Sequence, residues 1–255
     1  MTKTIIAVTN QKGGVGKTTT AVNLAAQLAT AKRKVMLVDL DPQGNATSSI
    51  GVDKAALKST LCDVLVGDAK LADVVLQANN KHLYVLPTNS RLADVEVQLV
   101  NMPEREHRLA KVLEQVDVDV VIIDCPPALG LLTINALVAA DHVLIPVQAE
   151  YFAMEGLSQL LQTIQLVKQN LSPRLEILGV VLTMLNKRNN LAEQVHDEVV
   201  NYFGEKVFKT VIPRNVRLAE APSYGRTIFE HDKWSKGARA YKHLAEEVEQ
   251  RLVSK

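Results

Sequence analysis

The glycine-rich segment at residues 12–19, K-G-G-V-G-K-T-T, constrains this chain more than any other part of it. It lies between residues 4–8, an apolar run with strand character, and residues 20–28, which favour a helix. Glycines let backbone N–H groups turn toward an anion, and a helix N-terminus adds the positive end of its dipole. The segment therefore predicts a phosphate-binding loop formed by Gly13, Gly14, Val15, Gly16, Lys17, Thr18 and Thr19.

Within this loop, Lys17 is predicted to reach the outer phosphates of a nucleotide and Thr18 to ligate Mg²⁺. The segment departs from the ordinary pattern G-x-x-x-x-G-K-[ST], because Gln11 stands at the first glycine position and Lys12 follows it. This variant resembles the deviant loop of the ParA/MinD branch of P-loop ATPases. The resemblance implies that Lys12 reaches phosphates bound by a second subunit, so that catalysis requires a homodimer.

Composition narrows the class of protein. Apolar residues make up 47% and charged residues 22% of the 255 residues, which is typical of globular proteins. The two cysteines, Cys62 and Cys125, form no CxxC pair, so a zinc site or a disulfide framework has little support. The chain starts directly with a predicted strand, and no apolar run approaches the roughly 18 residues of a membrane span. We expect one cytoplasmic domain covering residues 1–255.

Apolar runs with strand character alternate with helix-forming runs along the chain. The predicted strands cover residues 4–8, 35–38, 83–86, 118–123, 142–147, 175–182 and 207–211. The predicted helices cover residues 18–31, 104–116, 131–139, 154–170, 191–203 and 238–252, with short helices inside 51–76. Most strand runs lack period-two alternation, as expected of strands buried on both faces. The order predicts an α/β fold with a doubly wound, mostly parallel sheet flanked by helices.

Two aspartates end the second predicted strand, in the segment D-L-D-P-Q-G-N that starts at Asp39. An acid at the tip of a parallel strand faces the same crevice as the phosphate loop, and Pro42 stops the strand. The segment resembles the switch I region of ParA proteins. The resemblance implies that Asp41 positions or polarises the attacking water. Asp39 is either a supporting residue near the metal or a turn or helix-capping aspartate.

A third acid, Asp124, follows four β-branched residues and precedes Cys125-Pro126-Pro127. This is the Walker B form, in which the acid holds Mg²⁺ through water, and the bend resembles switch II. Cys125 is expected to be a buried filler, because no histidine stands nearby in sequence to activate it.

Two residues near the end of the predicted sheet are candidates for binding adenine. The family places an adenine-reading asparagine where Asn186 stands, and a carboxamide offers a donor and an acceptor together. Pro213 is expected to pack on the adenine face. The alternatives are a turn asparagine and a strand-ending proline. Glu150 is a further candidate for contact with nucleotide or with the facing subunit.

Residues 206–242, here called the basic segment, contain nine lysines and arginines and three acids, although the whole chain carries a net charge of only +1. Tyr224, Trp234 and Tyr241 are interleaved with these charges. Such a patch suits contact with the phosphate backbone of DNA, and it is also what a solvated surface looks like. The predicted DNA-binding residues are Arg188, Arg217, Arg226, Lys236 and Lys242. Lys187 is expected on the same face, and Arg214 faces either DNA or nucleotide.

Nearly the whole chain resembles the short, Soj-type ParA ATPases of chromosome partition. The resemblance implies a slow, Mg²⁺-dependent ATP hydrolase that dimerises on ATP. The dimer would bind double-stranded DNA without sequence preference, and a ParB-like centromere-binding partner would stimulate it, with the protein on the nucleoid. A plasmid-borne role remains open. The alternative is a MinD-like membrane-associated ATPase, which needs a basic amphipathic last helix, whereas the last predicted helix here is acidic. An iron–sulfur reductase lacks the cysteines that it would need.

Overall fold

A computed structural model describes residues 3–149, 155–185 and 190–253, without the side chains of 155–156 and 190–193. Its described residues form one eight-stranded sheet in the order β3-β4-β2-β5-β1-β6-β7-β8. Every strand pair is parallel except the antiparallel pair of β3 and β4. The strands are β1 (Thr4–Val8), β2 (Val35–Asp39), β3 (Leu76–Gln77), β4 (Leu83–Leu86), β5 (Val120–Asp124), β6 (His142–Gln148), β7 (Glu176–Leu185) and β8 (Ile212–Pro213).

Helices connect the strands and cover both faces of the sheet. The first six are α1 (Lys17–Leu28), α2 (Asn45–Ser49), α3 (Leu61–Val66), α4 (Leu71–Val74), α5 (Leu92–Leu99) and α6 (Arg108–Glu114). The others are α7 (Leu131–Ala139), α8 (Glu155–Asn170), α9 (Asn190–Phe203), α10 (Val216–Glu220), α11 (Ile228–Asp232) and α12 (Lys236–Val253). Short 3-10 turns occur at Arg105–His107, Gly204–Lys206 and Ala221–Tyr224. None of the described helices is long and apolar enough to cross a bilayer.

Two apolar layers hold the helices to the sheet, because successive strand residues point to opposite faces. On one face Ile6 and Val8 of β1 pack with residues of α1 and α12. On the other face Ile5 and Ala7 pack with residues of α3 and α5 to α9. The sheet is therefore buried on both sides, which explains why its strands read as continuous apolar runs.

The strand register brings the predicted acids together. Asp39 of β2 is paired with Asp124 of β5, and Val8 of β1 is paired with Asp124 from the other side. The phosphate loop follows Val8 directly. The parallel strands thus end at one edge, here called the carboxyl edge, at a place where the chain order reverses around β1.

The predicted α/β fold is confirmed, and most predicted elements recur within a few residues of their expected ends. The strand predicted at residues 207–211 is wrong. Only Val207 makes an isolated bridge, to Val180, and β8 begins at Ile212. The backbone N–H groups of Lys209 and Thr210 donate instead to the Glu247 carboxylate of α12, at 2.9 and 2.7 Å. A side chain distant in sequence has therefore taken the donors that a strand would use.

Candidate functional site

The phosphate loop at the start of α1 has the backbone shape that its glycines predict. Gly14 and Gly16 have φ values of 74° and 88°, a left-handed region that strains other residues. A Cβ atom at Gly13 or Gly14 would meet no atom within 4 Å, so open space lies beside the loop. No side chain caps α1 at Gly16. The first N–H groups of this helix are therefore available to an anion.

Lys17 lies inside this loop rather than on the surface, with 7% of its area exposed. Its ammonium group donates to the carbonyl of Lys12 at 3.0 Å. Burial lowers the pKa of Lys17, while the nearby carboxylates of Asp124 and Asp41 raise it. The carbonyl that holds Lys17 belongs to the backbone, so the side chain at residue 12 is not required for this contact.

Asp124 is fully buried at the end of β5, and neither of its carboxylate oxygens has a hydrogen-bond partner among the described residues. Burial raises the pKa of Asp124 well above its ordinary value, and repulsion from Asp39 raises it further. The Thr18 hydroxyl and the Lys17 ammonium act in the opposite direction. The Thr18 hydroxyl lies close to Asp124, but it does not donate a well-formed hydrogen bond to either carboxylate oxygen. An unsatisfied buried carboxylate beside a threonine hydroxyl fits a cation.

Asp39 has a different environment, although it is equally buried. One carboxylate oxygen accepts from the N–H and the hydroxyl of Thr47, at 2.7 and 2.6 Å. The other oxygen accepts from the N–H of Asp41 at 3.3 Å. Burial raises the pKa of Asp39 to about 6, against the lowering effect of the Thr47 hydrogen bonds. Asp39 thus ties the end of β2 to Asp41 and to Thr47 of α2, and its contact with a metal stays a prediction.

Asp41 begins the turn that leads into α2. Its carboxylate accepts from the N–H of Gln43 at 2.9 Å, and its carbonyl accepts from the N–H of Gly44 at 2.8 Å. Lys54 donates its ammonium group to the carbonyl of Gln43. Asp41 is 8% exposed, so it is nearly as buried as Lys17. This placement suits a group that meets a ligand, and the catalytic role of Asp41 stays a prediction.

A cavity of about 320 Å³ borders the loop at Gly16 and Thr19. It is lined by Gly16, Thr19, Thr183, Met184, Ile212, Pro213, Arg214, Asn215, Leu218, Ala219 and Tyr241. Met184 has φ 53°, a strained value for a side-chain-bearing residue, which costs of order 1–3 kcal/mol. The predicted adenine contact Pro213 lies in this cavity, and so does Arg214. Of its two predicted positions, the structure therefore favours the nucleotide side for Arg214.

Charged side chains of the basic segment lie at the surface. Arg226, Lys236 and Lys242 are exposed. Arg217 is also exposed but forms ion pairs with Glu220 at 2.9 Å and Asp232 at 3.7 Å. These acids would compete with a DNA phosphate for Arg217. The assignment of these four residues to DNA binding stays a prediction.

Four predicted residues, Glu150, Asn186, Lys187 and Arg188, lie outside the described part of the chain. Sequence reasoning missed Thr47, which holds Asp39, and Asn23 of α1, whose carboxamide oxygen accepts from the N–H of Ile228 at 2.8 Å. It also missed Tyr241 as a wall of the cavity. Its hydroxyl lies 3.1 Å from that of Thr20, and burial raises its pKa. Cys125 is buried as expected, and burial raises the pKa of its thiol.

The fold and the loop together define the class: this is a P-loop protein with an α/β sheet and a nucleotide crevice at its carboxyl edge. Residues 3–177 match a family described as an AAA domain. The Bacillus subtilis sporulation initiation inhibitor protein Soj is 56% identical over 246 residues, covering 96% of this chain and 97% of that protein. The Myxococcus xanthus chromosome partitioning protein ParA is 50% identical over 253 residues, covering 98% of this chain and 89% of that protein. The chain belongs to the ParA/Soj family of chromosome-partitioning proteins.

Solved structures agree with this placement. A Mycobacterium smegmatis protein described as cobyrinic acid a,c-diamide synthase, with bound ADP and magnesium, has a TM-score of 0.87 and 37% identity. The match covers 99% of this chain and 96% of that one. The Pyrococcus horikoshii septum site-determining protein MinD, complexed with Mg-ADP, has a TM-score of 0.79 and 29% identity over 98% and 97% of the two chains.

Proposed function

We propose that this protein is an ATPase that dimerises on ATP, binds double-stranded DNA without sequence preference, and partitions DNA with a ParB-like partner. The observation that carries the proposal is the pair formed by Asp124 and Lys17. A buried carboxylate that has no donor among the described residues and a buried ammonium group held by one carbonyl lie close together at the glycine loop. Each charge matches one component of Mg-ATP.

The residues present fit a magnesium ion. The described part of the chain has no cluster of three His, Cys, Asp or Glu side chains arranged to hold a metal. Mg²⁺ in nucleotide sites is commonly held by one or two protein groups together with phosphates and waters. Thr18 and Asp124, the latter through water, supply those groups. When bound, the ion neutralises charge that develops on the phosphates.

Other residues of the chain bind the nucleotide and orient the attacking water. Lys17 and the first N–H groups of α1 hold the phosphates, and Asp41 orients the attacking water. Asp39 fixes the direction in which the Asp41 segment leaves β2, through Thr47. Pro213 and Arg214 bound the cavity next to the loop, where adenine binds. Lys12 supplies a positive charge to the phosphates of the facing subunit.

Two features support DNA rather than a membrane as the surface that the ATP form binds. The lysines and arginines of the basic segment are exposed, and the segment carries a local charge of +6. The apolar side of α12 is occupied inside the fold, since Tyr241, Leu244 and Val248 are buried. Glu247 and Glu249 of that helix bond to Thr210 and Arg33. The described part of the last helix therefore presents no basic amphipathic face of the kind that lies on lipid.

ATP-dependent DNA binding of the wild type beside Asp41→Ala tests the proposal. With ATP and Mg²⁺, we expect both proteins to retain labelled duplex DNA, and only the wild type to release it over time. Retention of the same proteins on anionic vesicles is measured in a second arm of the experiment. Retention on vesicles instead of DNA would replace this function with a MinD-like one. Normal ATP turnover by Asp41→Ala would remove Asp41 from catalysis.

The cross-subunit role of Lys12 has its own test. Lys12→Ala removes the ammonium group but keeps the carbonyl that holds Lys17. We expect this variant to bind ATP and to lose the ATP-induced dimer on gel filtration. An unchanged dimer would contradict the role of Lys12 and leave nucleotide binding at Lys17 untouched.

A further inference from the structure

Trp234 is the only tryptophan of the chain, and 77% of it is exposed. It lies in the turn between α11 and α12. Single exposed apolar side chains are common on protein surfaces. Two further exposed apolar side chains, Val216 and Tyr224 at 70% and 65%, also belong to the basic segment.

The position of Trp234 is fixed by its backbone. Its N–H donates to the Asp232 carboxylate at 3.1 Å. The next residue, Ser235, is buried and accepts from the N–H of Ala238 at 3.0 Å, which anchors the start of α12. The ring is therefore presented to solvent by an ordered turn.

Basic side chains lie near this ring in the chain. The ammonium group of Lys233 lies 5.2 Å from its centroid. Lys236 opens α12 two residues later and is exposed. Asp232, which holds the Trp234 backbone, also lies 3.7 Å from the guanidinium of Arg217. Two predicted phosphate-binding residues are therefore close to Trp234 in the fold. Lys236 is two residues away, and Arg217 pairs with Asp232, which accepts from the Trp234 N–H.

We propose that Trp234 lies against the sugar–phosphate backbone of duplex DNA, between phosphates contacted by Lys233 and Lys236. This rests on the proposed DNA-binding function and names a contact of a different physical kind within it. Lysine contacts release counterions and weaken as salt rises. A tryptophan ring supplies apolar area and holds its polar edge in water, and that contribution does not depend on salt.

A lipid surface fits the same residues less well. Insertion into lipid needs a continuous apolar face, and the apolar side chains of α12 next to Trp234, such as Ala238 and Tyr241, are buried in the protein. A single ring among lysines matches a grooved polyanion better than an acyl layer.

The lone tryptophan makes the test direct. Its fluorescence is recorded with a non-hydrolysable ATP analogue and Mg²⁺ while an arbitrary-sequence duplex is added, and binding is followed separately by anisotropy of labelled DNA. We expect acrylamide quenching of Trp234 to fall about two-fold or more when DNA binds. Trp234→Ala should weaken DNA binding about five- to tenfold, because apolar contact area is lost, with the slope of log affinity against log salt unchanged. Trp234→Phe should recover most of that loss.

Lys236→Gln is the matched control. Its salt slope should become shallower by about one unit, because one phosphate contact is lost. Unchanged quenching in a sample whose DNA is bound would overturn the role of Trp234 and leave the DNA-binding function standing. Absence of DNA binding by anisotropy would overturn both. Protection of Trp234 by anionic vesicles but not by DNA would overturn the proposal in favour of lipid.

Discussion

The phosphate-loop end of the molecule and the basic segment carry charge in opposite ways. At the loop, Lys17 and Asp124 are buried, and the carboxylate has no donor among the described residues. In the basic segment, Arg217 is exposed and already paired with Glu220 and Asp232. Buried unpaired charge is costly to the fold, whereas an exposed pair contributes little to it. The loop region therefore holds a buried charge that a bound ligand could compensate. Arg217 of the basic segment already has partners, which it can exchange at little cost in stability.

The largest effect is expected at Lys17. Lys17→Ala should weaken binding of labelled ATP in Mg²⁺ by about 100-fold, because each hydrogen bond from a charged group contributes about 1.5–3 kcal/mol. Lys32→Ala removes an equal charge from an exposed position just after α1 and should leave the affinity unchanged. Equal losses in the two variants would mean that general charge, rather than the buried ammonium group, binds the nucleotide.

The second effect concerns one contact between the basic segment and the part of the chain that follows the Asp41 turn. Gly225, just after the 3-10 turn Ala221–Tyr224, has φ 59°, and a Cβ there would lie 2.6 Å from the Cα of Gly51. Gly51 follows α2, which begins at the end of the Asp41 turn. Gly225→Ala should lower the free energy of unfolding by about 2–4 kcal/mol, since strain and overpacking add.

Gly67→Ala is the control for backbone strain alone. Gly67 also has a left-handed φ, 94°, but a Cβ there would meet nothing within 4 Å. We expect Gly67→Ala to lower the free energy of unfolding by about 1–2 kcal/mol in urea titrations. If the two variants lose the same stability, the contact between Gly51 and Gly225 is not tight, and the two regions are less firmly joined than the structure indicates.

The third effect has the opposite sign. Asp124→Asn should raise the free energy of unfolding by about 1–3 kcal/mol at pH 8, without nucleotide or Mg²⁺, because it replaces an unsatisfied buried carboxylate. The folded-state pKa of Asp124 is above its unfolded-state value of 3.8. The folded protein therefore binds more protons, and this group lowers stability as the pH rises above about 4. The advantage of Asp124→Asn should grow from pH 5 to pH 8.

Asp39→Asn supplies the comparison for that result. Asp39 is as buried as Asp124, but its carboxylate accepts two hydrogen bonds from Thr47. The substitution weakens those bonds, so we expect no gain in stability at pH 8. A gain at Asp39 that equals the gain at Asp124 would show that burial alone, and not the missing donor, sets the cost.

In these two regions, the sequence predicted the features whose residues are adjacent in the chain. The strand, glycine loop and helix around Lys17 are adjacent in the chain, and so are β5 and Asp124. The hydrogen bonds from Thr47 to Asp39 and the contact of Gly51 with Gly225 join residues whose spacing carries no local pattern. The strand predicted at 207–211 failed for the same reason, since Glu247 takes its N–H groups from 37 residues away.

The smallest effect tests whether pairing restrains the basic segment. Glu220→Gln removes the nearer of the two acids bound to Arg217, and the Tm should stay unchanged because the pair is exposed. DNA binding should rise by about two- to threefold at low salt and fall back toward the wild-type value as salt is raised. Arg217→Gln should lower DNA binding by a similar factor. A different result would contradict this comparison. If Glu220→Gln has no effect while Arg217→Gln weakens binding, then Arg217 contacts DNA while still paired with Glu220. The ion pairs of the basic segment would then not need to break for DNA to bind.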